Sequence, residues 1–397
     1  MVKVLSGGLK EVNGFSFSAI ECGIRYKGRL DFAMIFSQNP CNASGLFTTN
    51  RLPSSAVSIC RERIDNPIHG ILINSTNANA CTGDEGYHNS ITLTQEVARQ
   101  MDVDSNSILM ASTGIIGVQL PLEQMKNAIP SLIGNLDREN ADLIPSAIMT
   151  TDTSPKEIAV SFSSSLGEYR IAGTAKGSGM IAPNMATLLA FILTDFPIEK
   201  NMLKRIFTRS IMKSLNSITI DGDMSTSDTA IILSPISKKY ITLENDLQNF
   251  EDALMHLLDR LSEMIVRDGE GATKLLRISV NGAMDEDDAK KAARSISESL
   301  LVKTALFGQD PNWGRIACAV GYSGAQVDEN RLSIYFEKIP LLLRGKPADY
   351  DPNYLEDVLS RREITINIDL GMGNAQAKYL TTDLSYDYIK INSEYST

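Results

Sequence analysis

The alternation of apolar and polar positions predicts short buried strands interspersed with amphipathic helices. Apolar runs at AMIF (33–36), HGILINST (69–76) and LLAFILT (188–194) are typical of buried strands. The clearest helix is predicted over 243–267, where leucines and other apolar residues recur at helical spacing until Asp268-Gly269 ends the pattern. Strands and helices alternate without a strict βαβ order, so we expect a mixed α/β fold of layered sheets and helices.

Other segments are assigned by the same pattern. Residues 275–283 and 362–370 are predicted strands. The same reading assigns strands to GLFTT (45–49), to AVSIC (56–60), to SITID (217–221) and to the tail KYLTTDLSYDYIKINS (378–393).

Composition and charge narrow the class of protein. Hydrophobic residues make up 43% and charged residues 22% of the 397-residue chain, as in globular proteins with a sizeable core. The net charge of -10 argues against nucleic acid as a partner, because phosphate binding needs basic clusters. No apolar run is long enough to span a membrane, and the first residues, MVKVLSGGLKEVNG, lack an apolar targeting core. We therefore expect a cytoplasmic protein with no membrane partner.

Cysteine and histidine are too sparse for several common kinds of site. The five cysteines form no CxxC pair, and the unlike flanks of the first four exclude a repeat, so we expect reduced thiols and no metal site. The three histidines, His69, His88 and His256, show no pattern of a catalytic base. A Ser-His-Asp triad therefore has no support from the sequence.

One stretch, KGSGMIAPNMAT (176–187), offers a nucleophile that needs no histidine. A threonine at a chain N-terminus can use its own α-amine, with a pKa of about 7.7–8.0, as the general base. Thr187 would gain such an amine if the Ala186–Thr187 bond were cut by attack of its hydroxyl on the Ala186 carbonyl. The residues alone leave a second interpretation open, in which this loop simply enters a core strand and Thr187 caps or pairs.

Together with other motifs, this stretch resembles the self-cleavage signature of the ornithine acetyltransferase (ArgJ) family. The matching stretches follow in order along nearly the whole chain: GLFTTNR (45–51), NANACTG (77–83), STGIIG (112–117), DGDMSTSDT (221–229), RDGEGATK (267–274), KTALFGQDPNWGRI (303–316) and TTDLSYDYIKIN (381–392).

The resemblance implies a reaction and its residues. Family members move an acetyl group from N-acetylornithine to glutamate through an acetyl-threonine ester, and some also accept acetyl-CoA as donor. Thr187 would be the nucleophile, cleavage would fall between Ala186 and Thr187, and Thr113 and Gly114 would form the oxyanion hole. The substrate-binding residues implied besides Thr187 are Thr153, Lys176, Glu270, Asn392 and Thr397. Without the resemblance, Thr113-Gly114 also fits a strand-ending turn, and Glu270 fits a solvated turn carboxylate.

The resemblance also implies an organisation. We expect an N-terminal-nucleophile-like layered fold of the DmpA/ArgJ type, with an α segment (1–186) and a β segment (187–397) that stay together. A second α/β domain is expected from about residue 280. The implied assembly is an α2β2 heterotetramer acting on small molecules, with no cofactor beyond acetyl-CoA as a second donor substrate.

Two residues depart from the family pattern. Thr76 stands where the family usually has glycine, and Ser227 where it has asparagine.

Two other classes of function are kept open as alternatives. An N-terminal-nucleophile amidohydrolase or aminopeptidase would use the same Thr187 with water as acceptor. A structural or regulatory protein without activity is the third reading, and the intact motif at 176–187 argues against it.

Overall fold

The computed structural model describes residues 2–182 and 188–394, which contain two β-sheets. The first sheet has nine strands within these ranges: β1 (Lys3–Leu5), β2 (Phe15–Ile20), β3 (Phe32–Phe47), β4 (Ile68–Asn77), β5 (Ile108–Ile115), β6 (Lys156–Ser164), β7 (Gly167–Lys176), β8 (Leu189–Thr194) and β9 (Thr229–Pro235). Their order is β1-β6-β7-β8-β9-β3-β4-β5, and β2 pairs with β3.

The second sheet lies in the last third of the chain. Its strands in the described part are β10 (Leu275–Ala283), β11 (Ser333–Phe336), β12 (Ile339–Leu343), β13 (Lys346–Pro347), β14 (Glu363–Asp369) and β15 (Ala375–Thr382), in the order β13-β12-β11-β14-β10-β15.

Helices cover these sheets. They are α1 (Ser55–Arg63), α2 (Gly83–Met101), α3 (Leu122–Gly134), α4 (Ile144–Ala147), α5 (Lys200–Lys213), α6 (Glu244–Arg267), α7 (Glu286–Glu298), α8 (Leu300–Phe307), α9 (Trp313–Gly321), α10 (Pro352–Ser360) and α11 (Tyr386–Glu394), with 3-10 turns at Gly8–Glu11, Glu139–Leu143 and Leu215–Ser217. No helix in the described ranges is long and apolar enough to cross a membrane.

Strand β8 lies in the middle of the first sheet. It pairs antiparallel with β7 and parallel with β9. Leu189, Phe191 and Leu193 point into one hydrophobic cluster, and Ala190 and Ile192 into the other. A strand covered on both faces needs a continuous apolar run rather than alternation, which is why LAFILT has no polar position before Thr194.

Residues from both sides of position 187 build the two cores of this sheet. The cluster beneath α5 and α6 joins β6 and β7 residues such as Val160 and Ile171 to Leu257 and Leu261 of α6. The opposite cluster joins Leu9 and Phe17 to β8 and β9. The two parts of the chain therefore share one interior.

The predicted class, a mixed α/β fold of layered sheets and helices, is confirmed. Helix α6 and strands β4, β8, β10 and β14 lie where the pattern predicts them. The domain division stays a prediction, and the second sheet begins at Leu275.

Three strand assignments are wrong. AVSIC lies in α1, whose first turn is capped by the Ser54 hydroxyl accepting from the Val57 amide at 3.4 Å, and its apolar side chains are buried at helical spacing. SITID forms no strand: Ile218 makes an isolated bridge to Leu380.

In the tail, β15 ends at Thr382 and residues 386–394 form α11. The Ser385 hydroxyl accepts from the Tyr388 amide at 3.4 Å, a capping contact that starts a helix where the tyrosine alternation suggested a strand.

Candidate functional site

A small polar pocket lies where the carboxyl ends of β5 and β7 meet loops from both parts of the chain. Most of its lining side chains are hydroxyls, amides or charged groups. The lining residues are Ala78, Thr113, Gly114, Ile116, Thr150, Thr151, Lys176, Ser178, Gly179, Met180, Ser225, Thr226, Ser227, Glu270 and Asn392.

Thr113 and Gly114 enter the pocket from the end of β5. This strand runs parallel to β4, and the register places Gly114 beside Thr76. Gly114 has a φ of 133°, and a Cβ there would lie 2.1 Å from the Thr76 carbonyl carbon. Only glycine fits so close to a neighbouring backbone at this φ.

The backbone of Thr76 is strained in this arrangement. Its φ is 86°, in a region that β-branched residues rarely adopt. Its hydroxyl is buried and has no hydrogen-bond partner among the described residues. A glycine at this position would remove both costs.

Lys176 supplies a buried cation at the end of β7. Its Nζ donates to the Thr150 hydroxyl at 3.0 Å and makes no ion pair within the described ranges. Burial lowers the pKa of Lys176, and Lys156 lowers it further, whereas Asp152 and nearby acids oppose both effects. The ammonium therefore gains from any carboxylate that enters the pocket.

A buried ion-pair cluster beneath the pocket fixes Lys176 and its neighbours. The Lys156 ammonium contacts Asp152 at 2.6 Å and Asp268 at 2.5 Å. Asp152 also accepts the Gly177 amide at 2.7 Å, which holds the turn after Lys176. Burial acts to raise the pKa of Asp152, but Lys176 and Lys156 together outweigh it and lower that pKa.

Glu270 and Asn392 close the other side of the pocket. The Asn392 amide donates to the Glu270 carboxylate at 2.8 Å, and the Glu270 backbone amide donates to the Ser178 carbonyl at 2.7 Å. Gly179 allows this approach, since a Cβ there would lie 2.5 Å from the Glu270 carboxyl carbon. The pocket thus holds an anion and a cation at once.

The loop 221–228 holds the chain on either side of residues 183–187. Asp221 accepts the Met180 and Ile181 amides at 2.6 and 2.9 Å, and Asp228 accepts the Leu188 amide at 3.0 Å. Burial raises the pKa of both carboxyls.

The structure brings together five of the residues expected at the site, Thr113, Gly114, Lys176, Glu270 and Asn392. Thr153 is not among the lining residues: its backbone and hydroxyl bond to Asp268. Ala186, Thr187 and Thr397 lie outside the described residues.

Sequence reasoning missed the hydroxyls of Thr150, Thr151 and the 225–227 run. The available signal was two polar runs, TTDT (150–153), which ends shortly before β6, and STSD (225–228), which lies directly before β9. Ser227, the second departure from the family pattern, is one of these lining residues.

Fold and site together define a layered α/β enzyme with a pocket suited to a small, doubly charged molecule. A family model described as the ArgJ family matches residues 16–397.

Two relatives are similar to this chain along nearly its whole length. The arginine biosynthesis bifunctional protein ArgJ of Geobacter sulfurreducens is 44% identical over 97% of this chain and 100% of that protein. The protein of the same name from Syntrophotalea carbinolica is 41% identical over 98% of this chain and 100% of its own. A crystal structure of arginine biosynthesis bifunctional protein ArgJ from Bacillus halodurans is 36% identical and aligns with a TM-score of 0.49, over 52% of this chain and 98% of that chain.

The chain belongs to the ArgJ family. The resemblance seen in its motifs is thereby confirmed, and so is the expectation of an acetyltransferase of arginine biosynthesis.

Thr76→Gly is expected to stabilise the protein by about 1 kcal/mol, because it relieves the positive φ and removes a buried, unpartnered hydroxyl. The measurement is the free energy of unfolding in denaturant. Thr76→Ala is the matched control, since it removes the hydroxyl but keeps a Cβ at that φ. Equal stability of the two variants would show that the backbone is not strained.

Lys156→Met is expected to destabilise the protein by roughly 3–5 kcal/mol, because Asp152 and Asp268 would remain buried without their cation. Thermal and denaturant unfolding measure the effect. Arg99→Met, which breaks the exposed Arg99–Glu96 pair, is the control and should leave the midpoint unchanged. A Lys156→Met protein as stable as the wild type would contradict the role given to this cluster.

Proposed function

We propose that the chain is a self-cleaving acetyltransferase that moves the acetyl group of N2-acetyl-L-ornithine to L-glutamate. The observation that carries this proposal is the convergence of five residues from four separate stretches of the chain on one pocket: Thr113 and Gly114, Lys176, Glu270 and Asn392. Membership of the ArgJ family supports the same reaction.

Activation begins at the Ala186–Thr187 bond. The Thr187 hydroxyl attacks the Ala186 carbonyl, the peptide bond to the Thr187 nitrogen breaks, and an ester forms. Water hydrolyses that ester, which leaves a carboxylate on Ala186 and a free amine and hydroxyl on Thr187. The position of β8 between β7 and β9 supports association of segments 1–186 and 187–397 after the cut.

Transfer then proceeds in two half-reactions. The Thr187 amine takes the hydroxyl proton while the oxygen attacks the acetyl carbonyl of N-acetylornithine. The proton passes to the departing ornithine amine, and the amine of glutamate attacks the acetyl ester in the second half-reaction. The Gly114 amide and Thr113 hydroxyl stabilise the oxyanion, and loss of one such donor typically costs about 2.7–4 kcal/mol in the barrier.

The charges of the pocket fit N-acetylornithine, which carries a carboxylate and a side-chain ammonium. Lys176 pairs with a substrate carboxylate, and Glu270, oriented by Asn392, pairs with the ornithine ammonium. Thr153 acts on the site through Asp268, the partner of Lys156. Thr397 is proposed as a further substrate contact on the family resemblance alone.

Three finer points belong to the same proposal. The enzyme works without a cofactor, with acetyl-CoA as a second donor substrate. Two copies of each segment assemble as an α2β2 heterotetramer. The protein acts in the cytoplasm.

Thr187→Ala is expected to abolish self-cleavage and acetyl transfer together, because both use the same hydroxyl. Thr187→Ser keeps a hydroxyl and is expected to retain part of both. Denaturing electrophoresis and a transfer assay on the same samples measure the two effects. A Thr187→Ala protein that still yields two bands would overturn the proposed cleavage.

A two-substrate assay separates transfer from hydrolysis by an N-terminal-nucleophile amidohydrolase. We expect N-acetylornithine to be consumed rapidly only when glutamate is present, with acetylglutamate as the product. Consumption at one rate with or without glutamate, with acetate accumulating, would assign the chain to the hydrolases instead.

A further inference from the structure

The hydrogen bond between Asn392 and Glu270 joins two segments whose relative position has to be fixed by other contacts. Asn392 is exposed and lies on α11, and none of the side chains of residues 386–394 is buried. Glu270 lies in the loop 268–274, which connects α6 to β10. A short helix without buried side chains gains little from packing, so specific contacts must hold it against this loop.

Ser385, directly before α11, lies where the two segments meet. It is 4% exposed. Its hydroxyl donates to the Gly271 carbonyl at 2.6 Å and accepts the Tyr388 amide at 3.4 Å. Gly271 directly follows Glu270, and the Tyr388 carbonyl accepts the Asn392 side-chain amide at 3.0 Å. One buried hydroxyl therefore contacts the backbone close to each partner of the hydrogen bond in the pocket.

The backbone of Gly271 packs directly on the start of α11. Gly271 has a φ of 65°, and a Cβ there would lie 2.3 Å from the Tyr388 nitrogen and 2.9 Å from the Ser385 hydroxyl oxygen. Only glycine allows two backbones to approach so closely at this φ. This contact sets the spacing between loop and helix, and the Ser385 hydroxyl bonds both of them at that spacing.

Two other contacts hold the ends of these segments. Asp383 accepts the Thr273 and Lys274 amides, both at 2.9 Å, and also the Thr273 hydroxyl, which fixes the end of the loop that leads into β10. The Tyr386 ring meets the Phe307 ring edge-on, with centroids 5.5 Å apart. Neither contact sets the distance between α11 and the carboxylate of the pocket.

The middle of α11 also contacts the loop 221–228. The Tyr388 hydroxyl donates to Asp221 at 3.3 Å, and the same carboxylate oxygen accepts the Met180 amide at 2.6 Å. Burial raises the pKa of both side chains, and the Asp221 charge raises the pKa of Tyr388 further, so the tyrosine hydroxyl keeps its proton. The bond is long for two oxygens, whereas the 2.6 Å bond made by Ser385 is short. Ser385 is therefore the stronger attachment.

We propose that Ser385 is a positioning residue that sets the specificity of the pocket for donors with a side-chain ammonium. Its hydroxyl holds the loop and α11 at the separation at which the Asn392 amide orients the Glu270 carboxylate. This inference rests on the proposed function, in which that carboxylate pairs with the ornithine ammonium. Ser385 is not among the residues that line the pocket, and it acts on the substrate only through them.

The test compares two acetyl donors in full-length Ser385→Ala, with glutamate as acceptor. One donor is N-acetyl-L-ornithine, and the other is N-acetyl-L-norvaline, which has the same carbon chain without the ammonium. For N-acetylornithine, kcat/KM should fall about tenfold, mainly through a higher KM, because the carboxylate is less well placed for the ammonium. For N-acetylnorvaline, kcat/KM should change by less than about twofold. An equal loss for both donors would overturn the inference, because a general structural defect does not distinguish them.

Ser393→Ala is the matched control. Ser393 lies on α11 as well, and its hydroxyl donates to the Lys390 carbonyl at 2.9 Å, within the helix. This variant should keep the wild-type kcat/KM for both donors. The same selective loss in Ser393→Ala would overturn the role given to Ser385, since the effect would then belong to the helix as a whole.

A double-mutant cycle tests whether Ser385 acts through the carboxylate. In a Glu270→Gln background the pocket has no charge for the ammonium, so Ser385→Ala should lower kcat/KM for N-acetylornithine by less than about twofold further. A second tenfold loss in that background would show that Ser385 acts by another route and would overturn the inference.

Two further comparisons keep the outcomes separate. If Ser385→Ala does not fold, the same pair of donors is measured with Ser385→Cys, whose thiol is a weaker donor of similar shape. A selective loss there supports the positioning role, and an equal loss overturns it. A wild type that transfers no acetyl group would overturn the proposed function and this inference with it. An active wild type with an unselective Ser385 variant would overturn this inference alone.

Discussion

The pairing of β8 with both β7 and β9 is the constraint on which the site depends. It fixes the chain directly after residue 187 in the middle of the first sheet, covered by apolar side chains on both faces. A cut ahead of that strand would leave its start attached to the core by backbone hydrogen bonds and by its buried apolar side chains. The start of β8 would therefore stay beside Lys176, at the end of β7, and beside the start of β9.

The pocket is built at a cost in stability. Lys156, Lys176, Asp152 and Asp228 are all buried, and burial of charge is expensive unless each group is paired. Thr76 adds a strained backbone next to Gly114. These unfavourable contributions to folding free energy lie at one place in the fold. The burial of the large shared core offsets them, as is common at functional sites.

Elements governed by local periodicity could be predicted from the sequence. The stripe of α6 and the uninterrupted apolar run of β8 each have one reasonable interpretation, and both lie where predicted. AVSIC and the tail could not be assigned in this way, because a single capping serine in each case outweighed a pattern that also fits a strand. The family resemblance was enough to predict Lys176 and Glu270 as site residues. The contact of Asp228 with the Leu188 amide could not be predicted, because it arises only from the parallel register of β8 and β9.

The central claim is that the chain carries its acetyl group on a threonine made N-terminal by its own cleavage. The most direct measurement is the intact mass of the purified wild type after incubation with N-acetylornithine in the absence of glutamate. The account predicts two polypeptides, 1–186 and 187–397, with one acetyl group on the second, located at its first residue. An unbroken, catalytically active 397-residue chain, or an acetyl group located elsewhere, would contradict it.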